Sequence, residues 1–138
     1  MKRSIKFLTV ADVLNFHAYQ IKYYGGLDGV RDRALLESAL AVPQSGSGNR
    51  YFHKNIFEMA AAYTFHIIKN HPFLDGNKRT GMAAGIIFLE RNGVTVNVSI
   101  EVLCSSAIQI ATSALSKKEL TTLFKAHATR SWTAAIRL

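Results

Sequence analysis

Residues 71–79 read His-Pro-Phe-Leu-Asp-Gly-Asn-Lys-Arg and separate two segments with helical hydrophobic spacing. The preceding segment is apolar on almost every side, which is typical of a helix at the centre of a bundle. Asn55 and Glu58 form a capping-box pattern, so we expect this central helix to begin there and to run to about Lys69. The motif is therefore predicted to form a loop at the end of a buried helix.

A second helix is predicted directly after this loop, from Asn77 through Arg91, followed by the stop signal Asn92-Gly93. Gly81 and Gly85 lie one turn apart within it. A glycine inside a helix costs about 1 kcal/mol relative to alanine. We therefore expect a neighbouring helix to pack closely against the two glycines and to offset that cost.

Capping and stop signals predict four more helices. They extend from Thr9 to Tyr24, from Asp32 to Leu40, from Ser99 to about Ala114 and from Ser116 to His127. Alternating residues over Val94–Val98 predict a short strand, and the polar, glycine-rich residues 44–50 predict a mobile loop. These elements indicate an all-α helical bundle with one short β segment.

The composition of the 138 residues, 49% of them hydrophobic, indicates a single domain over residues 1–138. We expect a cytoplasmic protein, because neither a bilayer-spanning stretch nor a secretion signal is evident. Cys104, Tyr63 and His66 are interpreted as packing residues of the bundle, and Trp132 as an aromatic that docks on it.

The formal charge of +8 favours acidic partners. The Lys and Arg residues are scattered and are not interleaved with aromatic residues, so nucleic acid is the less favoured partner.

Residues 71–79 carry the side chains suited to chemistry on a phosphate ligand. A glycine-containing turn into a helix presents unpaired N–H groups and the positive end of the helix dipole. Gly76 lets the backbone approach a ligand, and the side chains that add to an anion site are Asn77, Lys78 and Arg79. Asp75 is a candidate Mg²⁺ ligand, and His71 is a candidate general base.

The segment His-Pro-Phe-x-Asp-Gly-Asn-Lys-Arg-Thr resembles the signature of the Fic/Doc superfamily, in the form found in death-on-curing (Doc) toxins. Further Doc-like landmarks occur in the expected order. They are Tyr24-Gly25-Gly26-Leu27-Asp28-Gly29, Arg31-Asp32, Leu36-Glu37-Ser38-Ala39 and Phe88-Leu89-Glu90-Arg91-Asn92-Gly93. The resemblance covers about residues 7 to 125 and implies the all-α fold of that family.

The resemblance also implies roles for the motif. His71 is the implied base that acts on a target-protein hydroxyl, and Asp75 is the implied ligand of Mg²⁺. The implied anion-binding turn consists of Gly76, Asn77, Lys78 and Arg79. Phe73 is expected to anchor the loop in the core, and residues 43–52 correspond to the flap that aligns target chains in Fic enzymes.

Two departures from the adenylylating Fic pattern favour phosphoryl transfer. Lys78 replaces a glycine, and Met82 replaces a second arginine that would bind phosphate. The activity implied by Doc is phosphorylation of a threonine of elongation factor Tu with ATP. Gly76 follows the Fic form, so protein adenylyltransfer stays the alternative.

Regulation by a separate protein is also implied, because none of the five glutamates is followed by the Gly or Asn of the Fic inhibitory helix. For Doc toxins the regulator is an antitoxin with a disordered tail, and the basic chain here suits an acidic one. A non-catalytic module that binds anions or nucleic acid, or a nuclease, remains a rival interpretation.

The Lys78→Gly variant tests which residue selects the chemistry. We expect its product to shift from phosphorylated toward adenylylated protein, because a backbone surface replaces a bulky cation. Mass spectrometry of the modified target would measure the shift, with Lys22→Ala as a control that keeps the original product. An unchanged product in Lys78→Gly would show that this position does not select the chemistry.

Overall fold

The structure is a computed structural model that describes residues 4–130, and this part of the chain folds into six α-helices and four very short strands. The helices are α1 Val10–Tyr24, α2 Arg33–Ala41, α3 Ile56–Asn70, α4 Asn77–Arg91, α5 Ile100–Ala111 and α6 Lys117–Ala126. The strands are β1 Gly46–Ser47, β2 Arg50–Tyr51, β3 Val94–Val96 and β4 Ala128–Arg130, and a 3-10 turn covers Val42–Gln44. The predicted all-α class is confirmed, while Trp132 lies outside the described residues.

Within residues 4–130, no helix combines the length and the apolar character that crossing a membrane requires.

Polar side chains cap the helices at the predicted residues. Thr9 and Ser116 form complete capping boxes at the starts of α1 and α6. The capping box at Asn55 is only half formed. The Glu58 carboxylate accepts hydrogen bonds from the Lys54 N–H and the Asn55 side-chain amide, and not from the Asn55 backbone N–H. The start of α4 differs, since Gly76 offers it no side-chain cap.

Helix α3 is the centre of the bundle and packs against α2, α4 and α6. Tyr63, in the middle of α3, is fully buried as predicted. Its hydroxyl accepts a hydrogen bond of 2.9 Å from the Leu8 N–H, which fixes the N-terminal segment on the core. Burial raises the pKa of Tyr63 to about 12. His66 differs from the prediction, because it is only half-buried and contacts Lys117.

The close approach predicted at the two glycines of α4 is confirmed. A Cβ at Gly85 would overlap Thr64 Oγ1 and lie 3.0 Å from the Ala60 carbonyl oxygen, and one at Gly81 would lie 2.8 Å from Ile68 Cγ1. The Thr64 hydroxyl donates to the Gly81 carbonyl oxygen at 2.7 Å. Helices α3 and α4 therefore pack almost backbone to backbone, which holds the intervening loop at a fixed position.

The β structure differs from the prediction in two places. Residues 44–50 do not form an open loop, because β1 and β2 pair there as an antiparallel hairpin with Gly46 opposite Tyr51. The strand predicted over Val94–Val98 is observed as β3 and pairs with β4, an element that the sequence did not predict. Strands β1, β2 and β4 are too short to show a periodicity and become evident only from their pairing, whereas the alternation that predicts β3 extends over the five residues Val94–Val98.

The interpretation of Cys104 as a core residue is wrong, because this cysteine is exposed. The apolar run Val102-Leu103-Cys104 wraps around α5 instead of following one face. Of these three residues, Leu103 packs against the core, and the buried side of α5 continues through Ala107 and Ile110.

Gly85→Ala tests the packing of α3 on α4. In an open helix this substitution would stabilise the protein by about 1 kcal/mol. Here we expect destabilisation by about 1–3 kcal/mol, because the new methyl group overlaps Thr64 and the α3 backbone. Urea unfolding would measure the change, with Glu90→Ala on the exposed side of α4 as a control that shifts stability by less than about 0.5 kcal/mol. A stabilised Gly85→Ala variant would contradict the close packing.

Candidate functional site

The loop between α3 and α4 begins and ends with left-handed backbone. His71 caps the C-terminus of α3 with φ 51°, and Gly76 precedes α4 with φ 77°. Pro72 follows the helix end, where a residue without an N–H cannot continue the helix. The loop is therefore a tight, defined connection with an exposed His71 side chain at its start.

The Asn77 side chain holds this loop together from inside. Its Oδ1 accepts from the Phe73 N–H at 2.9 Å, and its Nδ2 donates to the Phe73 carbonyl oxygen at 3.0 Å and to His71 Nδ1 at 2.9 Å. Asn77 is only 4% exposed. This corrects the predicted role of its amide as a phosphate donor, because the amide is used within the loop.

Phe73 is fully buried, as predicted for the residue that anchors the loop. Its ring stacks on the buried imidazole of His17 from α1, with centroids 3.8 Å apart and planes 5° apart. His17 Nε2 also lies 2.8 Å from the Asp75 carbonyl oxygen, to which it donates. His17 was not among the predicted site residues, although its place one turn after Val13 on the apolar face of α1 was an available signal.

The connection between α1 and α2, residues 25–32, binds the loop from the other side. Arg31 Nε donates to the His71 carbonyl oxygen at 2.7 Å, and Arg31 Nη2 donates to the Asn70 carbonyl oxygen at 3.0 Å. The Pro72 carbonyl oxygen accepts from the N–H groups of Arg31 and Asp32. Arg31 thus pairs a positive charge with the free carbonyls at the C-terminus of α3.

The Asp75 carboxylate lies in a small backbone cradle. Oδ1 accepts from the Gly76 N–H at 2.8 Å and Oδ2 from the Leu27 N–H at 3.2 Å. These bonds, with Arg79 and Lys78 nearby, hold the pKa of Asp75 below its usual range. Gly26 is required beside it, because a Cβ there would lie 2.7 Å from Asp75 Oδ2.

An exposed, ionised carboxylate fits a Mg²⁺ ion that takes its other ligands from nucleotide phosphates and water. Each Asp75 oxygen keeps a lone pair after its N–H bond. Within the described residues, no group of three or more His, Cys, Asp or Glu side chains could hold a metal ion. The fit is therefore to a single carboxylate beside a phosphate ligand, and nothing in this part of the chain resembles a site for paired metals.

The start of α4 is open to an anion. Thr80 is the first residue of α4 whose N–H bonds back, to the Gly76 carbonyl oxygen. The earlier N–H groups of a helix have no intrahelical partner, and Gly76 supplies no cap. Lys78 is exposed beside them. Arg79 donates to the Gly25 carbonyl oxygen at 2.9 Å and lies over the Tyr24 ring, which directs its guanidinium along the same edge.

Of the predicted site residues, His71, Asp75 and Lys78 are exposed along the edge of the α3–α4 loop and Arg79 is partly exposed, whereas Gly76 is buried and a Cβ there would face Ile21 and His17. Asn77 lies behind that edge and supports it. Distant parts of the chain also contribute to the site, and these contributions become evident only in the folded structure. They come from His17, Gly26, the Leu27 N–H and Arg31.

Comparisons with known proteins find similar sequences over most of the chain, including the α3–α4 loop. Residues 7–89 match the family model described as "Fic/DOC family". The chain is similar to the Protein kinase doc of Escherichia phage P1, with 30% identity over 112 residues that cover 81% of this chain and 87% of that protein. It is also similar to the Toxin Doc of Mycolicibacterium smegmatis, with 38% identity over 79 residues that cover 57% of this chain and 61% of that protein.

Asn77→Ala tests the internal support of the loop. We expect the free energy of unfolding to fall by about 1–3 kcal/mol, because the buried N–H and carbonyl of Phe73 lose their partner. Thermal and urea unfolding would measure this, and Lys78→Ala, an exposed neighbour, should change stability by less than about 0.5 kcal/mol. Equal stabilities of the two variants would argue against the hydrogen bonds between the Asn77 side chain and the loop.

Proposed function

The chain belongs to the Fic/DOC family, and from this premise we propose that it is a toxin that transfers a phosphoryl group from ATP to a hydroxyl of a target protein. The names of the two relatives, a protein kinase and a toxin, support both parts of the proposal. The observation that carries it is the exposed His71 imidazole and Asp75 carboxylate on one loop that leads into an uncapped helix start.

The nucleotide phosphates bind at the start of α4 in this proposal. The free N–H groups there supply fixed partial positive charge, and Lys78 and Arg79 add two full charges. Gly76 supplies the left-handed backbone, φ 77°, that turns the loop into α4. Asp75 would hold Mg²⁺, and the bound ion would neutralise phosphate charge.

The reaction forms one bond and breaks one. The target hydroxyl oxygen attacks the γ-phosphorus, the bond to the β–γ bridging oxygen breaks, and ADP leaves. The hydroxyl proton passes to His71. The structure supports this role by presenting the imidazole at the exposed end of the loop that contains Asp75.

The contact with Asn77 sets a condition on this proton transfer. Because Asn77 Nδ2 donates to His71 Nδ1, the neutral ring carries its own proton on Nε2. His71 can accept a proton at Nε2 only after this hydrogen bond opens and the ring proton moves to Nδ1. We place that change at substrate binding, when catalytic hydrogen bonds commonly rearrange.

The departures at two positions favour phosphoryl over adenylyl transfer. Lys78 is exposed at the start of α4, where a bulky cation limits contact between backbone and phosphate. Met82 is 5% exposed and packs in the core, so this position contributes no phosphate-binding group. Adenylyl transfer stays the second candidate, because Gly76 with its φ of 77° provides the glycine turn of the Fic form.

The proposed target is a cytoplasmic protein hydroxyl, with a threonine of elongation factor Tu as the specific candidate, so the toxin would arrest translation. The proposed regulator is an antitoxin with a disordered, acidic tail, and the net charge of +8 favours its binding.

Labelled ATP distinguishes the candidate functions. Purified protein is incubated with Mg²⁺, a bacterial lysate and ATP labelled on either the γ- or the α-phosphate. Label from the γ-phosphate on a protein supports phosphoryl transfer, and label from the α-phosphate supports adenylyl transfer. No label on protein, with or without degraded RNA, contradicts both and favours the binding module or the nuclease.

His71→Ala should abolish transfer and toxicity while leaving the fold intact, because it removes an exposed side chain without opening a core cavity. General bases contribute roughly 10²–10⁴-fold to rate, so a loss of that size is expected. Rates of label transfer, growth on induction and thermal unfolding would measure the outcome. His127→Ala, far along the chain at the end of α6, is the matched control and should keep full activity. Toxicity that survives in His71→Ala would show that the base is another residue.

A further inference from the structure

A cleft of about 650 Å³ lies between α6 and the segment that begins α3. One wall is formed by His53, Asn55 and Glu58, and the other presents Lys117, Lys118 and Lys125. None of its lining residues belongs to the 71–79 motif. Its volume is within the range of about 300–1,000 Å³ that is usual for small-molecule sites.

The charges that line this cleft are mainly positive. Three lysine ammonium groups face one carboxylate, that of Glu58, and the Glu58 oxygens already accept hydrogen bonds from the Lys54 N–H and the Asn55 amide. Lys117 and Lys125 are eight residues apart on α6, which corresponds to roughly 12 Å along a helix. The cleft therefore presents a row of cations whose charge is only partly neutralised.

Two imidazoles hold Lys117 in place without cancelling its charge. Its Nζ lies 3.0 Å from His66 Nε2 and 3.3 Å from His53 Nε2. An ammonium group only donates, so both Nε2 atoms accept and both rings are neutral. Burial and the nearby Lys117 charge lower the pKa of His66 to about 4, and the same two causes lower the pKa of His53.

The cluster also contains a donor without an acceptor. Because His53 Nε2 accepts from Lys117, the proton of its neutral ring is on Nδ1. This Nδ1 is buried and has no hydrogen-bond partner within residues 4–130. Buried donors are nearly always paired in folded proteins, so the His53 ring is a polar group in the cleft wall that lacks an acceptor within the described residues.

We propose that this cleft binds an oligophosphate anion, at a site separate from the phosphate-binding start of α4. The lining residues offer compact ammonium groups and no guanidinium, and ammonium groups bind phosphate oxygens as point charges. The row from Lys117 to Lys125 has room for two or three linked phosphoryl groups. Since Lys118 and Lys125 are exposed, they can close on the ligand without unfolding the helix.

Titration with inorganic tripolyphosphate, at constant ionic strength and without metal, tests this site. The imidazole NMR signals of His53 and His66 should shift and saturate, independently of those of His71. In the double variant Lys118→Gln/Lys125→Gln, the half-saturating concentration should rise about tenfold, because two ion pairs with the phosphates are lost. Both lysines are exposed, so the variant should fold as the original protein does.

The double variant Lys6→Gln/Lys22→Gln is the matched control, because it removes the same charge from exposed positions outside the cleft. It should bind tripolyphosphate at His53 and His66 as the original protein does. Equal weakening in both double variants would overturn the site and indicate general charge attraction. Shifts confined to His71 and residues 76–79 would also overturn it, because the motif would then account for all binding.

Discussion

The Asn77 side chain is the constraint on which the candidate site depends. One buried amide bonds to both backbone groups of Phe73 and to the His71 ring, so it sets the shape of the loop and the orientation of its histidine together. Its position is fixed in turn by the packing of α4 on α3, where two glycines let the helices approach closely. Because this amide is buried behind the loop, the exposed edge of the loop carries Asp75, Lys78 and the free N–H groups at the start of α4.

The helical part of the fold could be predicted from the sequence because its signals are local. Thr9, Asp32 and Ser116 each cap a helix through hydrogen bonds within three residues. The two glycines within α4 indicate that another helix packs closely against it. Of the two small sheets only β3 could be predicted, because β4 joins it by pairing across α5 and α6 and the strands of the β1–β2 hairpin are too short to show a periodicity. Cys104 was misplaced for a related reason: a run that is apolar on all sides does not show which residue faces the core.

For the candidate site, the sequence identified the segment and the structure changed one role within it. Residue chemistry alone suggests that the Asn77 amide could bind phosphate, because an exposed amide at a helix start would do so. In the folded chain the Asn77 amide is buried and does not serve this role. Its burial depends on Phe73 and His17, which are far apart in the chain. His17, Arg31 and Gly26 support the loop through backbone atoms of residues 70–76 or the Asp75 carboxylate, and such contacts have no sequence pattern of their own.

The hydrogen bonds between residues 25–32 and the α3–α4 loop make the two segments one thermodynamic unit. Arg31 bonds to the carbonyls of Asn70 and His71, the Pro72 carbonyl accepts two N–H groups of the first segment, and the Leu27 N–H binds the Asp75 carboxylate. A molecule that displaces residues 25–32 must therefore break the bonds that fix the His71 backbone and the Asp75 carboxylate. The linkage is reciprocal, so a ligand that orders the α3–α4 loop also stiffens a surface about forty residues earlier in the chain.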